Sequence, residues 1–269
     1  MTARTTTTTE GLAVESSPRP GGPSLERLTS ALPAPAVLVP AGVPTALSDL
    51  GLLRLLQLSS SLCPIGAFAY SQGLETAVER GWVASEAALA DWVSGVGDHA
   101  LARLDLPLLL RAHEAAQAGD AQRLLDIGEQ LLASREAREL MDQERQLGSS
   151  LASVLVNLGV EAAARFRGHE HASYVVCFAL GAQSFGIGPE PALLGYAFAW
   201  CEQQVSAAAR LVPLGHMAAQ RALSAILARV PSWVAAAGAV PELEIGSATP
   251  GLAMSAAWHE TQYTRLFRS

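Results

Sequence analysis

The chain has 269 residues, half of them hydrophobic, so it is long enough to bury a full core as one large domain or two small ones. Its formal net charge is −7 and all 18 basic residues are arginine, which excludes a Walker-type phosphate lysine, a Schiff base and a lysine general base. An acidic chain without a basic block also disfavours nucleic-acid binding.

The cysteines and the apolar segments point to an intracellular setting. Cys63, Cys177 and Cys201 are far apart and odd in number, which disfavours a disulfide framework. The N-terminus has no basic start followed by an apolar run, so no signal peptide is predicted. The uncharged window 171–189 contains glycines and a glutamine, so it is a weak membrane span but a reasonable buried helix. We therefore expect a soluble, cytoplasmic protein.

The N-terminal region differs in composition from the rest. Residues 1–48 contain a run of five threonines and seven of the fifteen prolines, which predicts a disordered tail. From residue 49 the pattern predicts an all-α body, a single domain of roughly eight to ten helices extending to residue 230. Its first helix, 50–62, has leucine on almost all sides, which predicts burial on more than one face.

The next helices are predicted from their end signals. Ser85 is a predicted N-cap, because its hydroxyl can accept a hydrogen bond from the first turn. Gly119 is predicted to separate two short helices over 104–118 and 120–132.

Three further helices are predicted from periodicity. One begins near Ser134, and Arg135 and Glu139 would form an ion pair one turn apart on it. Over 192–212 apolar residues recur at spacings of four and three, which is an almost ideal helical stripe. A last helix is predicted over 216–229, and 231–269 is treated as a separate C-terminal segment that docks on a partner.

One interpretation of the stretch "LCPIGAFAYSQGLE" (62–75) is a serine hydrolase. Within it "AYSQG" matches Gly-x-Ser-x-Gly except that Ala69 replaces the first glycine, which makes Ser71 a candidate nucleophile. Such a serine needs a strand before it, and Pro64 and Gly66 do not predict one. This hypothesis remains an alternative.

A second alternative is a nickel-binding or storage protein that uses histidines. His169 and His171 are close in sequence, and His216 lies elsewhere. The spacing selects no particular metal, and solvated loop histidines are the simpler interpretation. Cys63 has no cysteine or histidine within four residues, so no tightly bound metal is predicted.

The third interpretation of 62–75 is a turn shaped for contact. Pro64 and Gly66 would swing the chain into a new helix that has Glu75 near its start, where an acidic side chain is favourable. The turn would present Phe68 and Tyr70 as interface anchors, unless both rings fold back into the core.

The last residues, "WHETQYTRLFRS" (258–269), raise the same question. Trp258, Tyr263, Leu266 and Phe267 make this segment too apolar for an idle tail. We expect it either to dock on its own domain or to become ordered on a partner.

Several segments together resemble one known family. "CPIGAFAYSQGLE" near the start of the body and "HETQYTRLFRS" at the end are similar to the urease accessory protein UreF family. "RQLG" (145–148), "CEQQVSAAARLVPLG" (201–215) and "AAQR" (218–221) agree with it. The resemblance spans roughly residues 50–269 in the same order.

The resemblance implies an all-α protein that forms a homodimer and has no catalytic activity of its own. It would bridge the accessory protein UreD (UreH in some organisms) and the GTPase UreG in a complex that delivers nickel to apo-urease, without a tightly bound cofactor. The implied UreD contacts are His259, Glu260, Tyr263, Arg265, Leu266, Phe267 and Arg268. The implied contacts on the GTPase side are Pro64, Gly66, Phe68, Tyr70, Ser71, Gly73, Glu75 and Arg210.

Two positions depart from the family pattern. Arg210 stands where the family commonly has lysine, and it could either supply positive charge to GTP hydrolysis or form a structural ion pair. After "VPL" the family usually has a glutamine two residues on, whereas this chain has His216, a weak candidate for a transient nickel ligand.

Overall fold

The computed structural model describes residues 47–269, and this part of the chain is all-α, as predicted. Its eleven α-helices are α1 (Asp49–Ser59), α2 (Leu74–Glu79), α3 (Glu86–Val96), α4 (Leu106–Ala118), α5 (Ala121–Ala133), α6 (Arg138–Asn157), α7 (Tyr174–Ser184), α8 (Pro189–Leu211), α9 (His216–Leu227), α10 (Val230–Ala239) and α11 (Pro250–His259). Short 3₁₀ segments lie at Ala67–Ala69, Glu161–Phe166 and Glu242–Glu244, and a π-helix at Gly97–Asp105. The predicted tail 1–48 lies outside the described residues except for its last two positions.

Helix α7 forms the centre of the core. It packs against α1, α4, α6 and α8, and every residue from 175 to 182 is buried. The approach of α6 is close because Gly148 lies against the backbone of Ser173, where a Cβ atom would be 2.5 Å from a carbonyl carbon. The middle of the apolar window 171–189 is therefore a buried helix, and its two ends are loops.

Helix α1 is only half buried, so the prediction of burial on more than one face was wrong. Leu55 and Leu58 point inward towards α7 and α8. Leu50, Leu53 and Leu56 are exposed, because no described element covers the opposite side of this helix. A high leucine content alone did not distinguish an exposed apolar surface from a buried one.

Helices α3 and α4 form one continuous rod through the π-helix. Pro107 has no N–H, so Arg103 O, four residues before it, lacks its usual α-helical donor. The linker between α10 and α11 supplies one instead, because Gly246 N–H donates to Arg103 O at 3.1 Å, and Ala248 N–H of the same linker donates to His99 O at 3.2 Å. The widened segment is thereby tied to the C-terminal part of the chain.

The end signals of the middle helices are confirmed. Ser85 Oγ accepts from Ala88 N–H at 3.2 Å, and Gly119 ends α4 with φ 69°. Helix α6 begins at Arg138, later than predicted, so Arg135 lies before it and the predicted pair with Glu139 does not form.

Helices α10 and α11 were not predicted. Each contains a proline in its first turn, a position where proline is tolerated because the N–H is not needed. Trp233 of α10 is buried in the same core as α7.

One stretch of the described residues, His216–Ala239, is long and apolar enough to cross a membrane by length and composition alone. A turn at Ala228–Arg229 divides it into α9 and α10. Each helix buries a few residues against the body, including Ile226 and Trp233, and 28% of the apolar window is buried.

An ionic cluster lies inside the bundle, and we call Asp105, Arg135, Glu144, Ser173 and Tyr196 the central cluster. Arg135 binds Asp105 at 2.5 Å and Glu144 at 2.8 Å. Glu144 also accepts from Ser173 Oγ at 2.9 Å. Burial opposes the charge of Arg135, but the two carboxylates outweigh this and raise its pKa. Burial raises the pKa of Asp105, and Arg135 partly offsets the rise.

Candidate functional site: the turn after α1 and the C-terminal segment

The turn between α1 and α2 depends on left-handed residues. Gly66 has φ 82° and Gly73 has φ 75°, conformations that glycine adopts without strain. Gly73 also lies against α11, where a Cβ atom would be 2.5 Å from Ser255 Oγ. Gln72 has φ 54°, and its side chain is held by bonds from Trp200 Nε1 at 2.8 Å and Gln204 Nε2 at 2.9 Å.

The two aromatic residues of the turn have opposite environments. Phe68 is 71% exposed, whereas Tyr70 is 7% exposed and belongs to the core. The sequence left open whether the rings project from the turn or fold back into the core. In the structure Phe68 projects and Tyr70 is buried. Pro64 is also exposed. Of the aromatic pair, only Phe68 can serve as a contact without rearrangement of the turn.

The C-terminal residues dock on this turn. Arg268 N–H donates to Ala69 O at 2.8 Å, and Ser71 N–H donates to Ser269 O at 2.7 Å. Ser71 Oγ donates to the same carbonyl oxygen. The side chain of Phe267 is only 4% exposed, so the segment is anchored by an apolar ring as well as by backbone bonds.

Glu75 binds the backbone of the C-terminal segment. This side chain is buried in the first turn of α2, and its oxygens accept from Leu266 N–H at 2.6 Å and Phe267 N–H at 2.9 Å. Backbone N–H groups that would otherwise be buried without an acceptor are thus satisfied. The acidic residue that the sequence assigned to a helix start is therefore also the receptor for the C-terminal backbone.

His259 joins Glu75 to α6, and we call Glu75, Glu139, His259 and Arg265 the tail cluster. His259 is fully buried, with Nε2 3.1 Å from Glu75 Oε2 and Nδ1 2.6 Å from Glu139 Oε2. With ionised carboxylates both hydrogen bonds form only when both ring nitrogens carry protons. Arg265 donates to the second oxygen of Glu139 at 2.7 Å.

The first residues of the C-terminal segment bind the body through side chains or are exposed. Glu260 accepts from Arg138 N–H at 3.0 Å, so it satisfies a free donor at the start of α6. Gln262 Oε1 accepts from Thr76 Oγ1 at 2.9 Å. Tyr263 is fully exposed, and Leu266 is 59% exposed.

Arg210 connects α8 to both segments. Its Nη2 donates to Phe68 O at 2.5 Å, and its guanidinium lies 4.1 Å from the centre of the Phe267 ring. Neither an acidic partner nor a free projection towards solvent is needed to explain its position. The predicted structural ion pair does not form within residues 47–269, since the contacts are a carbonyl and a ring, and a role of Arg210 in GTP hydrolysis stays a prediction.

The geometry around Ser71 lacks the parts of a nucleophile elbow. Ser71 is fully buried, and its hydroxyl is directed to Ser269 O. The described residues contain no strand on which such an elbow could be mounted. A substrate could reach this oxygen only after the C-terminal residues had moved.

The candidate metal ligands do not converge in the described residues. The rings of His169 and His171 lie 5.5 Å apart in one loop, and His216 is exposed at the start of α9. Residues 47–269 contain no group of three or more His, Cys, Asp or Glu side chains placed to hold a metal ion. Burial raises the pKa of Cys63 and takes that of Cys201 to about 12, which keeps both thiols protonated at neutral pH.

The family model for UreF matches residues 83–227. A urease accessory protein UreF of Chromohalobacter salexigens is 46% identical over 220 residues, which are 82% of this chain and 95% of the relative. The urease accessory protein UreF 2 of Brucella anthropi is 43% identical and covers 82% of this chain and 97% of the relative. The chain belongs to the UreF family. A Marinomonas relative of the same name is 38% identical, over 82% of this chain and 96% of its own length.

Within this UreF-family chain, the structure brings together two sets of residues that the resemblance had assigned to different partners. The turn residues and the C-terminal residues form one continuous assembly with Arg210. Glu139 and Gln143 of α6 were not predicted as part of it, although Gln143 accepts from Ser269 Oγ at 2.8 Å. No local motif marks them, because their role arises only when α11 and the C-terminus return to α6.

Proposed function

We propose that this chain is a non-catalytic scaffold in urease maturation. It bridges UreD and UreG, forms a homodimer and takes part in delivering nickel to apo-urease in the cytoplasm. Membership of the UreF family supports the role as an accessory protein. Nickel is the cargo of the complex, and the scaffold itself needs no tightly bound cofactor.

The main observation behind the bridging proposal is that the Phe68 side chain is exposed while its backbone is held in place. Its backbone oxygen is held by Arg210, and the next residue, Ala69, binds the C-terminal segment. Large apolar side chains on a rigid support are favoured as interface anchors because little conformational entropy is lost on binding. We assign Phe68 to the UreG contact.

Tyr263 is the counterpart for UreD. It is fully exposed and lies between α11 and the docked residues Leu266–Ser269. Tyr263 at the start of the C-terminal segment and Phe68 beside its docked end thus offer two separate surfaces. A protein that bridges two partners requires two such surfaces. Glu260 and Arg265 support this exposed ring through their bonds to α6.

The test is co-expression of the full chain with the cognate UreD and UreG, followed by size exclusion with light scattering. Phe68→Ala is expected to weaken UreG association roughly tenfold or more and to leave UreD bound, and Tyr263→Ala is expected to do the reverse. Leu243→Ala is the matched control, because Leu243 is a fully exposed apolar residue in the linker before α11. All three variants should melt like the wild type, since each removed side chain is largely exposed.

Failure of the wild-type chain to associate with folded partners would refute the bridging role. Light scattering of the isolated chain tests the homodimer. A fluorophosphonate probe tests the absence of serine hydrolase activity: labelling that disappears in Ser71→Ala would show that the chain is an enzyme after all.

A further inference from the structure

A cavity of about 140 Å³ opens between the turn after α1 and one face of α8. This is several times the roughly 30 Å³ that one water molecule occupies in the liquid. The lining residues used below are Cys63, Phe68, Tyr174, Trp200, Glu202 and Ser206.

On the α8 face of the cavity, the Glu202 carboxylate has no partner among the described residues. Ala199, Glu202 and Ser206 follow each other at spacings of three and four, so they lie on the same side of the helix. The two small residues flank the glutamate and do not cover it. The Glu202 carboxylate has no hydrogen-bond or ion-pair partner within residues 47–269, and burial raises its pKa.

The other charges at the cavity are already engaged. Glu144 is bound by Arg135 and Ser173 in the central cluster. Arg210 is bound to Phe68 O and forms no ion pair with Glu202 within residues 47–269. Within residues 47–269 the Glu202 carboxylate therefore lacks a cationic partner at the cavity.

The walls of the cavity are suited to a cation. Trp200 and Tyr174 contribute aromatic rings, which attract ammonium and guanidinium groups. Phe68 stands exposed at the same cavity and offers apolar contact to an aliphatic stem. A lysine or arginine side chain combines such a stem with a charged head.

We propose that this cavity is a socket for a lysine or arginine side chain of the protein partner that contacts Phe68. The inference rests on the proposed scaffold function and adds the chemistry by which one partner is recognised. A side chain is favoured over a metal ion because Glu202 is a single carboxylate, and the described residues provide no group of three ligands around it.

The first experiment uses the isolated full-length chain labelled with ¹⁵N and titrated with N-acetylarginine amide in an NMR experiment. Saturable shifts are expected in residues 199–206 of the wild type, and roughly tenfold weaker binding in Glu202→Gln. N-acetylcitrulline amide, which has the same shape without the charge, should give no such shifts. Glu190→Gln is the matched control, because Glu190 is an exposed glutamate of the same helix.

The second experiment measures UreG and UreD binding to the same variants, each verified by thermal melting. Glu202→Gln is expected to weaken the Phe68-dependent association at least tenfold, and a reversed charge on the partner residue should rescue Glu202→Arg. If the wild type binds and Glu202→Gln binds equally well, the socket is overturned while the scaffold stands. If the wild type binds no partner, the proposed scaffold function is refuted. The arginine titration then decides by itself whether the cavity binds a cationic side chain. Equal response to the arginine and citrulline probes, or nickel binding at Glu202 without an arginine response, overturns the socket.

Discussion

The central cluster is largely buried, and so is the tail cluster apart from the exposed Arg265, yet the two clusters stabilise different parts of the molecule. The central cluster joins the end of the π-helix, the α5–α6 connection, α6, the start of α7 and α8, and every member is supplied by the body of the bundle. The tail cluster takes Glu75 and Glu139 from the body, but His259 and Arg265 come from the C-terminal region. One cluster can therefore form without the C-terminus, and the other cannot.

The central cluster is thus expected to affect global stability, and the tail cluster the docking of the C-terminal segment. A charge removed from the central cluster leaves two carboxylates buried within helices that make up the core. A charge removed from the tail cluster loosens a segment that covers the turn, while the helices beneath retain their own contacts. We expect the first change to lower the cooperative free energy of unfolding and the second to act mainly on the last residues.

Replacing Arg135 with methionine should have the largest effect. The variant leaves Asp105 and Glu144 buried without their cation, and loss of one partner of a buried ion pair costs about 3–5 kcal/mol. Urea denaturation followed by circular dichroism measures the change. Arg138→Met is the control, because within residues 47–269 the Arg138 side chain makes only an exposed, one-turn pair with Asp142 at 3.6 Å and its backbone bond to Glu260 is kept. Equal midpoints for the two variants would show that the central cluster is not a main support of the body.

Replacing His259 with leucine should have a smaller effect that is concentrated in the C-terminal segment. The change leaves Glu75 and Glu139 without the ring that separates them, and bonds to charged groups contribute about 1.5–3 kcal/mol. Hydrogen exchange should accelerate at Leu266 and Phe267, while α7 keeps most of its protection. Uniform acceleration across α7 and the C-terminus would contradict the division between the two clusters.

The helical body was largely predictable from sequence because its signals are local. A cap at Ser85, a left-handed glycine at 119 and a regular stripe over 192–212 each act within a few residues. The exposed leucines of α1 and the ion partners of Arg135 were not predictable in this way. Both depend on which distant helix lies opposite, and neither periodicity nor charge spacing contains that information.

The site was predicted in its parts but not in its assembly. The sequence selected the turn and the C-terminal residues, yet gave no means of placing them in contact. Whether Tyr70 or Phe68 would be buried also depended on α8 and on the C-terminal residues, which reach the turn from distant parts of the sequence. The contacts of these residues with UreD and UreG remain predictions.

Replacing Ser71 with alanine should have the smallest effect of the three changes. It removes the hydroxyl bond to Ser269 O and keeps the backbone bond from Ser71 N–H, so a loss of about 1 kcal/mol is expected. Ser85→Ala is a matched control, since removal of that N-cap should cost a similar amount at α3. The two variants should have similar global stability, but only Ser71→Ala should speed proteolysis near the C-terminus. Equal protease sensitivity would mean that the backbone bonds and the buried Phe267 ring hold the segment without help from the Ser71 hydroxyl.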